Sequence, residues 1–354
     1  MKNAALAPLV LARTGHFFVG GAYAETPDGH VMSGQMYVRE LIPAEVTRPF
    51  PIVMIHGMGQ TGTNYEATPD GREGWAQNFA RAGYAVYVVD QPARGRSAYH
   101  SDVDGLTPRG GIGTVDGMAR RFTSPKAHGT FGRAHRHTQW PGGGAMGDPV
   151  FDQFFASQVE AIPTATGRPE ALTKAAGAAL LDRIGPAILL THSQSGSFGW
   201  QIADARPGTV KAILAIEPAL APTWPFSGSA ESPYGLTMTP ITYAPPLRDP
   251  RDLVHVAQDA PDEPDLERCW VQGAPVRTLP NLVGTPIAIV IAEASPQAHT
   301  GHCTAKFLTQ AGVANDFIRL ETVGISGNGH MMMLERNSAE IAAFLMGWLA
   351  ARGL

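Results

Sequence analysis

Residues 188–200 read I-L-L-T-H-S-Q-S-G-S-F-G-W. An apolar run enters a cluster of small residues and stops there, with Ser193 at its centre. A buried strand that ends this abruptly before a helix makes a sharp elbow. Its strained backbone is tolerated only where the flanking residues are small. Thr191 and Ser195 stand two residues to either side of Ser193, and Gly196 follows. The usual elbow is G-x-S-x-G; here it is T-x-S-x-S. A polar turn is the plainer reading, and the strand–elbow–helix context favours a nucleophile over it. The elbow also sets Ser193 at a helix N-terminus, where the N–H of Gln194 and the helix dipole favour a developing negative charge.

Working outward, short apolar runs at 51–55 (PIVMI), 84–89 (YAVYVV), 187–191 (AILLT), 210–216 (VKAILAI), 286–291 (PIAIVI) and 317–323 (FIRLETV) read as strands. Helical stretches at 74–82, 170–184, 195–205, 301–311 and 338–350 alternate with them. Continuous apolar strands between helices mark a parallel sheet buried on both faces. Residues 30–41 mix apolar and polar positions and read as an antiparallel strand or hairpin arm. Gly83 suits a C-cap, and Pro207 biases the residue before it out of the helix. The last helix carries an apolar stripe at Ile341, Phe344, Leu345, Trp348 and Leu349, with Asn337 and Glu340 placed as a capping pair.

Two stretches break the pattern. Residues 98–165 are rich in Gly, Pro, His and Arg, and residues 220–280 are dense in Pro. Both are too long for plain loops in a compact domain. The expected fold class is α/β: a mostly parallel central sheet flanked by helices, with a cap built from two insertions. The division is core at 1–97, a first cap insertion at 98–165, core with the elbow at 166–219, a second cap insertion at 220–280, and core at 281–354.

The chain has 354 residues, 44% of them hydrophobic and 16% charged, which suffices for a large core. The formal net charge is −4 and no run of Lys and Arg occurs, so nucleic acid and anionic membrane surfaces are not expected partners. No apolar run reaches the ~18 residues needed to span a bilayer. Cys269 and Cys303 are equally consistent with one disulfide or two thiols, and the compartment is left open. The N-terminus, M-K-N-A-A-L-A-P-L-V-L-A-R-T, resembles a weak export signal interrupted by Pro8. A cytoplasmic location is favoured over a periplasmic or secreted one.

A serine nucleophile needs a base, and the base needs an orienting acid. In a strand-elbow architecture these follow in the order Ser, acid, His. G-N-G-H-M-M-M puts His330 in a Gly-rich loop before the last helix, where a base belongs. Met331–Met333 read as packing residues. Two glutamates end strands, Glu217 after 210–216 and Glu293 after 286–291. The commoner position for the acid, after the later strand, points to Glu293. His56-Gly57-Met58-Gly59 follows the first parallel strand, and the Met58 N–H would face that of Gln194 across an oxyanion. Asp90 reads as a loop-ordering residue. His135-x-His137 lacks a third ligand and is not read as a metal site. The His/Arg-rich segment 126–140 reads as a solvated loop.

Six blocks now stand in order: G-H-F-F-V-G-G (15–21), I-H-G-M-G-Q-T-G-T-N-Y-E-A-T-P-D-G-R-E-G-W (55–75), V-V-D-Q-P-A-R-G-R-S-A (88–98), T-H-S-Q-S-G (191–196), I-E-P (216–218) and G-N-G-H-M-M-M (327–333). Together they resemble the α/β-hydrolase superfamily and, within it, the Alcaligenes esterase group of bacterial serine esterases. The resemblance implies the α/β-hydrolase fold and a carboxylic ester hydrolase without cofactor or metal. It implies a small-molecule ester as substrate and a homodimer. It also moves the acid from Glu293 to Glu217, the glutamate of the E-P pair, with Ser193 as nucleophile and His330 as base. Two departures stand out. The group carries adjacent cysteines after H-G where this chain has Met58 and Gly59, and the 220–280 insertion is longer here. Lactone or C–C bond hydrolysis on the same fold, and ligand binding without catalysis, are the competing readings.

Overall fold

The computed structural model describes residues 7–105, 107, 113–224 and 232–354. The first six residues of the signal-like N-terminus lie outside them, as does most of the 106–112 stretch and the segment 225–231 of the second insertion.

One eight-stranded sheet organises the chain. Its strands are β1 (Leu11–Thr26), β2 (Gly29–Pro43), β3 (Ile52–Ile55), β4 (Val86–Asp90), β5 (Ala187–His192), β6 (Val210–Ile216), β10 (Ile287–Ile291) and β11 (Asp316–Arg319). Their order is β1-β2-β4-β3-β5-β6-β10-β11. The six strands from β4 to β11 pair in parallel, and the β1–β2 hairpin adds to β4 antiparallel. This is the α/β architecture the strand–helix alternation predicts. Every residue of β3, β4, β5 and β10 is buried, as a sheet covered on both faces requires.

Side chains of successive strand residues point to opposite faces, so each strand feeds two cores. Ile52, Met54, Val88, Leu190 and Leu214 join one cluster with Trp75, Phe79 and the Leu345 face of the last helix. Val53, Ile55, Val89, Leu189 and Ile213 join the other with Leu180, Leu181, Ile202 and Phe307. Met331, Met332 and Met333 are fully buried in the first cluster, the packing role expected of them.

Helices Trp75–Arg81, Arg168–Ile184, Ser195–Ala205, Gly301–Gln310 and Ser338–Ala350 match the sequence expectations within two residues. Gly74 opens the first of them because a Cβ there would come within 2.2 Å of the Tyr65 carbonyl oxygen. Three expectations are corrected. The strand expected at 317–323 ends at Arg319, and Leu320–Val323 turn as a 3₁₀ segment. Asn337 makes no side-chain cap on the last helix, because it instead exchanges hydrogen bonds with Asn328. The antiparallel arm is longer than 30–41, and its partner β1 occupies much of the signal-like and Gly-rich N-terminal stretch.

The insertions carry short elements. Pro149–Ala156 is a helix capped by the Asp148 side chain. β7 (Thr223–Trp224), β8 (His255–Ala257) and β9 (Arg268–Gln272) form a small antiparallel sheet in the order β7-β9-β8. Cys269 on β9 is bonded to Cys303 on the helix after β10, which settles the open question of the two thiols in favour of a disulfide. Among the described residues, no helix is long and apolar enough to cross a membrane.

Candidate active site

β5 delivers Ser193 into a turn with φ of +55°, a conformation rare for a residue with a side chain. Three backbone bonds hold that turn. The Ser193 N–H donates to the Ile216 carbonyl at 2.9 Å, and the Ser193 carbonyl accepts from Gly196 at 3.0 Å and Ala219 at 2.9 Å. The elbow is thus tied to residues 216–219, which carry Glu217. Glu217 itself has φ of +51°. Strained backbone of this kind collects at functional sites.

The departures from G-x-S-x-G acquire roles. Ser195 Oγ accepts from the His192 N–H at 2.8 Å and lies 2.8 Å from the Ile55 carbonyl, stitching the end of β5 to the end of β3. Thr191 packs under the helix, where a Cβ on Gly199 would lie 3.0 Å from its methyl carbon. Gly196 is the position with no room at all: a Cβ there would lie 2.6 Å from Pro218 Cβ.

His330 Nδ1 and Glu217 Oε2 are 3.0 Å apart, both buried. Glu217 also accepts from the Ala292 N–H at 2.5 Å and from the Ser295 hydroxyl. Burial pushes the Glu217 carboxyl up, against the pull of those two donors. Burial, and then the Arg121 guanidinium, push the His330 imidazole below its ordinary value. Glu293 stands elsewhere: it accepts from the Gly327 N–H at 2.9 Å and pairs with Arg136 at 3.0 Å, bracing the start of the His330 loop.

His330 lies against the elbow through its neighbour. His192 Nε2 is 3.0 Å from the His330 carbonyl, and the two rings have centroids 4.7 Å apart. Among the described residues, Ser193 Oγ makes no hydrogen bond, to His330 or to any other side chain. Such contacts are often long before substrate binds. Ser193 is partly exposed while its neighbours from Thr191 to Gln201 are buried.

The loop after β3 closes over the elbow. A Cβ on Gly57 would lie 3.1 Å from Ser193 Cβ, so only glycine lets the loop approach this near. Among the described residues, neither the Met58 N–H nor the Gln194 N–H has a hydrogen-bond partner. The loop is held from behind. His56 Nε2 accepts from the Gln91 N–H at 3.0 Å, which leaves Nδ1 to donate to the Gly57 carbonyl at 2.8 Å. Buried Arg94 reaches the Gly57 and Gln60 carbonyls at 3.3 and 3.2 Å. Desolvation draws that guanidinium down to about 10. Asp90 accepts from the Gly62 N–H and from Arg96, the loop-ordering work expected of it. Burial alone would raise Asp90, but the Arg96 bonds hold it below the usual carboxylate value.

Sequence reasoning missed Arg94, His192 and Thr164. Thr164 Oγ1 accepts from Gln194 Nε2 at 2.8 Å and faces Met58 Sδ at 3.6 Å. It also missed a second buried pair behind the His330 loop, His137 Nε2 with Glu335 Oε1 at 2.7 Å, where Glu335 also accepts from Gly329 and Asn328. That pairing draws His137 away from His135, which bonds the Gly132 carbonyl. Cys269, His302 and Cys303 also cluster, but the disulfide removes both sulfurs as metal ligands.

No protein-family model matches the chain. It is 45% identical over 340 residues to the probable secreted lipase phiG of a fungal species (strain ATCC 74256), covering 95% of this chain and 89% of that one. It is also similar to a solved structure described as a novel bacterial esterase, with a TM-score of 0.64, 26% identity and full coverage of both chains.

Proposed function

The chain belongs to the esterases and lipases of the α/β-hydrolase fold and is a carboxylic ester hydrolase, and we propose that it works through an acyl-enzyme on Ser193. Ser193 Oγ attacks the acyl carbon while His330 Nε2 takes its proton. The N–H groups of Met58 and Gln194 receive the oxyanion. The tetrahedral intermediate collapses, and His330 passes the proton to the departing alcohol. Water then attacks the acyl carbon, gives a proton to His330, and releases the acid as Ser193 is reprotonated. Glu217 orients the imidazole and stabilises its charged form. Its two donors, Ala292 N–H and Ser295 hydroxyl, favour the ionised carboxylate that this role needs.

The observation that carries the reading is the 3.0 Å contact of His330 with Glu217 beside a serine at positive φ. The test is labelling with an alkyl p-nitrophenyl phosphonate, followed by peptide mass spectrometry and by p-nitrophenyl butyrate turnover. A single adduct on Ser193, with turnover lost in Ser193→Ala, supports it. An adduct elsewhere, or unchanged turnover in Ser193→Ala, overturns it.

A further inference from the structure

The face of His330 that is not engaged by the elbow is covered by the first insertion. The Phe122 ring stacks on the imidazole with centroids 4.9 Å apart and planes at 18°. Arg121 immediately precedes it in the chain, and its guanidinium carbon lies 5.7 Å from the centre of that ring. Arg121 is exposed, so a solute can reach it. Arg96, Arg133, Arg136 and Arg319 each pair with a carboxylate. Among the described residues, Arg121 has no hydrogen bond and no ion pair. Desolvation lowers its own affinity for a proton, with no acid among the described residues to offset it, and its charge is felt at His330. An uncompensated guanidinium open to solvent attracts an anion, and its planar fork matches a carboxylate.

The position says which part of a substrate that anion belongs to. The imidazole hands its proton to the leaving oxygen, so groups layered on the imidazole flank the departing alcohol. The oxyanion groups, Met58 and Gln194, flank the carbonyl instead. We propose that Arg121 is a specificity-determining residue that binds a carboxylate on the leaving alcohol, so that acyl esters of hydroxycarboxylic acids are the preferred substrates. This rests on the acyl-enzyme reading above. It adds a substrate class to it.

The test compares two esters that differ only in that charge: 3-butyryloxybenzoate and its methyl ester. A third, the p-nitrophenyl monoester of glutaric acid, carries its charge on the acyl side. The quantity read is the ratio of kcat/KM for the charged over the uncharged benzoate, in wild type, Arg121→Gln and Arg121→Lys, with folding checked by circular dichroism. A charge-assisted contact predicts a ratio of roughly ten to a hundred in wild type, carried mainly by KM. The ratio falls to about one in Arg121→Gln and is partly restored in Arg121→Lys. A wild-type ratio near one, a ratio unmoved by Arg121→Gln, or an Arg121-dependent preference for the glutarate ester overturns the assignment. p-Nitrophenyl butyrate in the same assay separates the failures. If Ser193-dependent turnover persists while the ratio is flat, only the Arg121 inference falls. If no ester is turned over, the acyl-enzyme reading falls with it.

Discussion

Gln194 and Met58 meet at one hydroxyl, that of Thr164, although the three residues come from the elbow, the loop after β3 and the end of the first insertion. The Gln194 amide donates to Thr164 Oγ1, whose proton is left for the Met58 sulfur. This hydroxyl holds the two candidate oxyanion residues at a fixed spacing. Thr164→Val is expected to lower kcat for p-nitrophenyl butyrate roughly tenfold with little change in KM, a smaller loss than removal of an oxyanion donor itself. Thr164→Ser keeps most of the rate. A change confined to KM would mean that Thr164 only lines the site.

Glu217 and Glu293 end neighbouring strands, and only Glu217 touches His330. Glu217→Gln leaves the shape but offers the imidazole an amide, and is expected to cost on the order of 10⁴ in kcat, as the loss of an orienting carboxylate does elsewhere. Glu293→Gln keeps an acceptor for the Gly327 N–H and is expected to stay within about tenfold. Steady-state kinetics on both variants decide it, and the reverse ranking would move the acid to Glu293.

Ser195 is buried, and its hydroxyl serves the His192 N–H and the Ile55 carbonyl at once. Ser195→Ala strands the buried His192 N–H, while the Ile55 carbonyl keeps only the Tyr65 hydroxyl at 3.1 Å. The expected loss in unfolding free energy is about 1–3 kcal/mol, read from denaturant titration. Ser195→Gly adds backbone freedom to the same loss and is expected to be at least as unstable, even though it restores the commoner elbow sequence.

Glu217 and His192 lie against the His330 imidazole, and the Arg121 charge acts on it from beside the Phe122 ring that stacks there. Removing the Arg121 charge makes the imidazolium easier to form, so His330 takes its proton at a higher pH. The proposed mechanism needs the neutral imidazole. The acidic limb of kcat/KM for an uncharged ester therefore moves to higher pH in Arg121→Gln. A limb that stays in place or moves down would show that the Arg121 charge does not reach the base.

Much of this architecture was legible in the chain. Period and apolar run length place the parallel strands, because a strand buried on both faces is mostly apolar: β3 and β10 are so throughout, and β4, β5 and β6 are so but for Asp90, Thr191, His192 and Lys211. The proposed nucleophile, Ser193, and base, His330, stand at a strand end and in a Gly-rich loop, positions that sequence order marks out, whereas that order points to Glu293 for the acid and the resemblance moves it to Glu217. β1 was hidden because most of its side chains face solvent and its glycines interrupt any alternation. The strand ending at Arg319 looked longer because Leu320–Val323 keep its composition while turning. Thr164, His192 and Arg94 left no signal, since each acts through one hydrogen-bonding atom brought close by the fold. Asn337 was misread for the same reason: its partner, Asn328, is a tertiary neighbour, not a residue of its own helix.

The Cys269–Cys303 bond links the second insertion to the helix after β10 across 34 residues. The ring it closes contains the turns at 273–286 and the whole of β10. A protease that cuts once anywhere inside that ring releases nothing. Both fragments remain on one covalent skeleton, and the nicked protein separates into two bands on a denaturing gel only after a reductant is added.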